Sequence, residues 1–169
     1  RAIERAISKL ENELRRSQED LARAQKVAGI GSFSREVATG RTEWSEEFLR
    51  VWGIDDGYVY PTAETLAAMV HPADRKAFLQ GRDAALKNAS DGALDFRITR
   101  PDGEERILHR EYGVMFDTDG KVLRMFGTIQ DITERKRNEL ELRRSRENLA
   151  HSQRIAGVES LARWTSRSR

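Results

Sequence analysis

In the first 28 positions Ile3, Ile7, Leu10, Leu14, Leu21, Ala24 and Ala28 keep a 4-3-4 alternation, with Ser17 in its remaining place. This is the heptad seam of a coiled coil, with charged residues on the other faces. A stripe so narrow leaves an isolated helix marginal in water, so the pattern predicts a partner. Charge spread over the whole remaining circumference favours pairing with a second copy, as a parallel homodimer, over packing on the chain's own domain. Residues 13–33 recur as 141–161 with twelve of 21 positions identical, which sets Leu142 and Leu149 in the register of Leu14 and Leu21. The later copy has Ser145, Ser152 and Ala156 on its seam and predicts the looser helix. A repeated connector of this kind implies one module of an array, entered and left through similar helices.

Between the connectors the period changes repeatedly. Gly29 and Gly31 break the first helix, a loosely alternating strand covers Ile30–Val37, and Thr39-Gly40 turns it back into Arg41–Trp44. Ser45 followed by Glu46-Glu47 caps a short helix bearing Phe48, Val51 and Trp52, which Gly53 ends. A loop at Asp55–Pro61 leads to a second short helix capped by Thr62, with Leu66, Met69 and Val70 apolar. His71-Pro72 stops that helix and opens a longer one over Ala73–Ala89, with Phe78, Leu79, Ala85 and Leu86 inward. Strand alternation then takes over at Leu94, Phe96 and Ile98. A long strand follows at Glu105–Phe116, with Leu108, Tyr112, Val114 and Phe116 on one face, and another at Val122–Ile132. Turns at Pro101-Asp102-Gly103 and Asp117–Gly120 join these strands, and Gly40, Gly103 and Gly120 are placed to take positive φ. Two strands, short helices and three strands specify an α+β fold: a five-stranded antiparallel sheet with helices on one face.

Composition narrows the function classes. The 169 residues hold 34% charged and 38% apolar side chains, enough for one modest core plus connectors. Lys/Arg and Asp/Glu are interleaved for a net charge of +2, which reads as solvated surface and argues against nucleic acid as a partner. The absence of cysteine removes disulfides, thiolate metal sites and thiol nucleophiles. No apolar run approaches the ~20 residues of a membrane span, so the expectation is a cytoplasmic piece of something longer, ending in a frayed tail at Thr165–Arg169.

The candidate chemistry is thin. His71, His109 and His151 lack metal-ligand spacing. Outer helix surface is the better reading of His151 than a phosphoacceptor, and a strand position the better reading of His109 than a haem ligand. Gly29-Ile30-Gly31 follows a helix and lacks a third glycine, so it fails as a dinucleotide loop. Asp117–Gly120 opens like a calcium loop, but Thr128 stands where the closing glutamate belongs. Asp74 is placed to brace a helix start. No nucleophile, base and orienter come together, so the chain is not expected to be an enzyme.

The order Ala28-Gly29-Ile30-Gly31-Ser32-Phe33, Trp44-Ser45-Glu46, His71-Pro72-Ala73-Asp74, Asp102-Gly103, Asp119-Gly120 and Asp131-Ile132-Thr133-Glu134-Arg135-Lys136 resembles PAS sensor domains. The resemblance is to the bacterial subgroup found in tandem before histidine kinases and cyclic-di-nucleotide enzymes. It covers roughly residues 26–136, and Ala2-Ile3-Glu4-Arg5 resembles the worn end of an earlier module's closing motif. It implies a helix over 1–28, a PAS domain over 29–133, an exit helix over 134–157, and the next module or a tail over 158–169. By the same resemblance Asp131, Ile132 and Thr133 form the junction that passes sheet distortion to the exit helix, about 23 residues or roughly 35 Å long.

Trp44, Phe48, Trp52, Met69, Phe96, Tyr112 and Met115 are the bulky candidates to line a ligand pocket, against the preferred reading that they fill the core. No cofactor is required. Lack of cysteine excludes a cysteine-linked flavin or chromophore, while non-covalent flavin, haem and a carboxylate metabolite stay open. The implied partners are a second copy and neighbouring PAS, kinase or effector domains. The alternatives are a ligand-free dimerising scaffold, or a fragment just preceding a kinase dimerisation segment.

Overall fold

The computed structural model describes residues 1–54 and 61–167, so the loop expected at Asp55–Pro61 lies, except for Pro61, outside the described residues. The chain divides into two units, Arg1–Ile132 and Thr133–Arg169.

The first unit opens with α1 (Ala2–Ala28), a helix with no buried residue. Gly29 ends it in the left-handed conformation, φ 64°, with its N–H turned back to the carbonyls of Gln25 and Lys26. The chain enters β1 (Ile30–Glu36) and returns in β2 (Thr42–Trp44). Ser45 caps α2 (Glu46–Trp52) by accepting from the Phe48 N–H, and Thr62 and Thr65 form a reciprocal capping box on α3 (Ala63–Met69). Arg75 closes the other end of α3, donating to the carbonyls of Ala67, Ala68 and Val70, while the Ala67 carbonyl also accepts the Val70 N–H. Helix α4 (Pro72–Asn88) follows, with Pro72 in its first turn and His71 Nδ1 accepting from the Ala73 N–H.

Strands β3 (Gly92–Thr99), β4 (Glu105–Phe116) and β5 (Val122–Asp131) form the meander, and the β1–β2 hairpin joins it through β5. The sheet is five-stranded in the order β2-β1-β5-β4-β3, antiparallel throughout. The α+β expectation therefore holds, and so does positive φ at Gly40, Gly103 and Gly120.

Rings form a continuous line through the core: Trp44 on Phe48 at 4.4 Å, Phe48 on Trp52 at 6.1 Å, Trp52 on Phe96 at 5.8 Å and Phe96 on Phe78 at 4.9 Å. Val51, Leu66, Val70, Ile98, Leu108 and Ile129 complete it. Each such side chain contributes roughly 1.5–3 kcal/mol by leaving water. Gly31 is what lets β1 approach α2: a Cβ there would lie 2.3 Å from the Phe48 Cα. Phe116 leaves the inward face expected for it, because the β4–β5 register shifts between Met115 and Phe116 and half of its surface is exposed.

The second unit is one helix, α5 (Thr133–Arg167). It runs without a break through Gly157, where the repeat had suggested a second stop, and continues over the expected tail. A single glycine costs a helix only about 1 kcal/mol, which does not end a long one.

Candidate functional site

The short helices and the inner sheet face leave a cavity of ≈ 370 Å³ between them. Phe33, Trp44, Phe48, Trp52, Phe78 and Ile129 give it apolar walls, and it reaches the surface beside the exposed Thr62 and Glu64. Among the described residues its charged lining is Arg35, Arg82 and Arg110 against the carboxylate of Glu64.

Arg110 is the unusual member. It points inward between Leu108 and Tyr112 and is 6% exposed. Its guanidinium lies 4.4 Å from the Phe78 ring centre and 4.9 Å from that of Tyr112, and Nη2 donates to the Phe78 carbonyl. Burial pushes its pKa down to about 10.

Of the bulky candidates, Trp44, Phe48 and Trp52 line the cavity, while Phe48 and Trp52 also belong to the packed core and Trp44 packs against it. Phe96 is fully buried behind that wall, and Met69 packs on the core without reaching the cavity. Tyr112 touches Arg110 from the side and lines a groove that crosses the outer sheet face. Met115 is half exposed on the outward-facing parity of β4 and does not line the cavity. His109 also lies on the outward parity, with Nδ1 2.5 Å from Asp95 and Nε2 3.2 Å from Glu111; these carboxylates, Asp95 first, raise its pKa against the effect of burial.

The His71-Pro72-Ala73-Asp74 segment is stitched to β3. The His71 N–H donates to the Arg97 carbonyl, and Asp74 accepts from the Arg97 backbone at 3.0 Å and from its guanidinium twice at 2.8 Å. Those bonds hold the Asp74 carboxyl at about 2, below its ordinary 3.8. The structure thus gives Asp74 a bracing part, as the sequence suggested, but toward a strand rather than its own helix.

At the far end of the sheet, Asp131 lies 3.4 Å from Arg100 and 3.9 Å from Arg106, and Arg100 also donates to the Val51 carbonyl in the last turn of α2. Ile132 is buried and donates to the Ile107 carbonyl, and Thr133, the first residue of α5, is 5% exposed. On α1 the seam residues Ile3, Ile7, Leu10, Leu14 and Leu21 are 50–75% exposed, and Leu142 and Leu149 on α5 are exposed as well. No helix among the described residues is long and apolar enough to cross a membrane.

A helix-clasped antiparallel sheet with a ligand-sized hollow and a charged last strand defines a small sensory domain. The chain belongs to the PAS family, whose profile, described as the PAS fold, matches residues 41–129, just over half of its length. It is 26% identical over 170 residues to a blue-light-activated histidine kinase of Brucella anthropi and 29% identical over 169 residues to the one of Brucella ovis. The chain spans 33% of the length of either relative. Among solved structures, a sensory box histidine kinase/response regulator from Burkholderia thailandensis is 30% identical, with a TM-score of 0.59 over 76% of this chain and 95% of that one. This is a PAS sensory module homologous to the sensors of bacterial histidine kinases.

The described lining has no thiol for a flavin adduct, and no Asn or Gln amide to pair with the polar edge of an isoalloxazine ring. It does not fit a flavin held by a cysteine adduct or by side-chain amides. Arg110, Arg35 and Arg82 escaped the sequence reading, although an arginine at an inward position of β4, two residues from Leu108 and two from Tyr112, was a visible signal.

Proposed function

We infer that the chain senses and transmits within a larger bacterial signalling protein, a histidine kinase or a cyclic-di-nucleotide enzyme, as a parallel homodimer joined through its helices. One observation carries this reading: α1 holds 27 residues, buries none of them, and leaves Ile3, Ile7, Leu10, Leu14 and Leu21 exposed in one heptad row. A helix about 40 Å long with an uncovered apolar seam is stable in water when a partner covers it. The small residues on the α5 seam make that helix the adjustable one, because few large side chains lock a single register. The last strand supports the same reading. Asp131 shares Arg100 with the end of α2, which forms a wall of the cavity, and stands two residues before α5. A change at the cavity would reach the Asp131-Ile132-Thr133 junction by this route and alter how the exit helices pair before the next domain.

Replacing Leu14 and Leu21 with Asp tests the reading in analytical ultracentrifugation. The unaltered chain is expected at twice the monomer mass and the double variant at the monomer mass. An unaltered chain that sediments as a monomer at high micromolar concentration refutes the homodimer.

A further inference from the structure

Two buried side chains of the cavity wall have hydrogen-bond donors that nothing among the described residues satisfies. Trp52 Nε1 and Arg110 Nε are both buried without a hydrogen-bond partner, and the residues themselves are 1% and 6% exposed. Both side chains pack on the same two rings, Phe78 and Phe96. The guanidinium makes one hydrogen bond, through Nη2 to the Phe78 carbonyl. Among the described residues no carboxylate faces it: its other neighbours are the rings of Phe78, Phe96 and Tyr112, and Arg82 lies near enough to disfavour its charge further.

Leaving a buried charge unpaired is among the costlier things a fold can do, and orphan donors in a native core call for an explanation. Here both are donors, both belong to one cavity wall, and that cavity carries three arginines against one exposed glutamate. What the described residues do not supply to Arg110 is an acceptor with negative charge. The other walls are aromatic faces, and the ≈ 370 Å³ volume lies at the lower end of the roughly 300–1,000 Å³ usual for small-molecule sites.

We propose that the cavity binds a small aromatic carboxylate, its ring against the wall that Phe33, Trp44 and Phe48 form and its carboxylate turned to Arg110. Arg82 and Arg35 near the opening favour entry of an anion. This deepens the sensory reading of the same cavity and rests on it. Ligand binding is read by titration, whereas the homodimer is read by sedimentation, so either can fail without the other.

The test is calorimetric titration of the full chain with phenylacetate and indole-3-acetate, beside their neutral counterparts phenylacetamide and indole-3-acetamide. At least one acid is expected to bind, and at least about tenfold more tightly than its amide, the weight of a charge-assisted hydrogen bond. Arg110→Met fills similar volume without charge and is expected to fold with an equal or higher melting temperature, because it removes an unpaired buried cation. Its affinity for the acid should fall at least about tenfold, to the level of the amide. Arg110→Lys, which keeps the charge but loses the planar fork, should fall between. The proposal is overturned if neither acid binds at millimolar concentration, if acid and amide bind equally, or if either Arg110 variant that folds binds the acid as the unaltered chain does.

Discussion

The same connector ends in Ala-Gly twice, and the two copies behave differently. At Ala28-Gly29 the helix stops, Gly29 takes φ 64°, and the next residues pair with β5 from Ile30↔Gln130 onward. At Ala156-Gly157 the helix carries on for ten more residues, to Arg167. Upstream the copies are nearly interchangeable, so the stop is not encoded in the dipeptide. The difference lies just downstream, where Gly31 of the first copy corresponds to Glu159 of the second. Gly31 admits the Phe48 backbone at a distance no Cβ tolerates, and with it β1 seats against α2 and β5. Glycine permits the break, and the sheet's demand for a strand makes it happen.

The strongest way to break this comparison is to move the second copy's residue into the first. Gly31→Glu places a charged side chain against the Phe48 backbone and should abolish cooperative unfolding of the sheet unit, as followed by near-ultraviolet circular dichroism. Gly31→Ala, the smallest side chain, should still cost about 1–3 kcal/mol in urea titration. An unchanged midpoint for both would mean that the approach of β1 to α2 is not what fixes the strand.

A smaller effect with opposite signs sharpens the comparison at the shared glycine. Gly29→Ala forces a Cβ into the left-handed conformation and should destabilise the first unit by about 1 kcal/mol. Gly157→Ala lies within a helix and should stabilise α5 by about 1 kcal/mol, read as raised helical ellipticity. The same sign at both positions would contradict a helix end at one and helix interior at the other.

The smallest change expected separates the braced sheet unit from the helices by pH. The Asp74 carboxylate contributes stability in full above its ordinary 3.8, and this is lost as pH falls through about 2. The unaltered chain should therefore lose its stability advantage over Asp74→Asn across that interval, in melting temperatures of the sheet unit measured at each pH. A difference that stays constant across the interval would remove the Arg97 bonds as its cause.

How much of this was legible beforehand depends on where the information lies. Caps and turns are local: Ser45, Thr62, His71-Pro72 and the Asp-Gly turns each act within four residues, and the structure places all of them as the pattern suggested. The alternation of β3 to β5 gave the sheet, because a half-buried strand repeats every two residues. The cavity was legible only in part. Trp44, Phe48 and Trp52 announce themselves by bulk, but whether large residues fill a space or surround one depends on tertiary distances that spacing does not carry. Met115 shows the limit, since one step of parity on β4 sets it on the opposite face from Tyr112. Arg110 was missed for a different reason: charge in a strand reads as surface until its neighbours on both sides are seen to point inward.

Arg100 ties two distant addresses to one fork. Its aliphatic stem lies so close to Gly53 that a Cβ there would come within 2.8 Å of it, while its nitrogens serve both the Val51 carbonyl and the Asp131 carboxylate. One rigid planar group cannot optimise two acceptors independently, so a shift of either end lengthens a bond at the other. Gly53 becomes a tuning screw: a side chain there would nudge the fork and detune the final strand without entering the hollow or touching either rod.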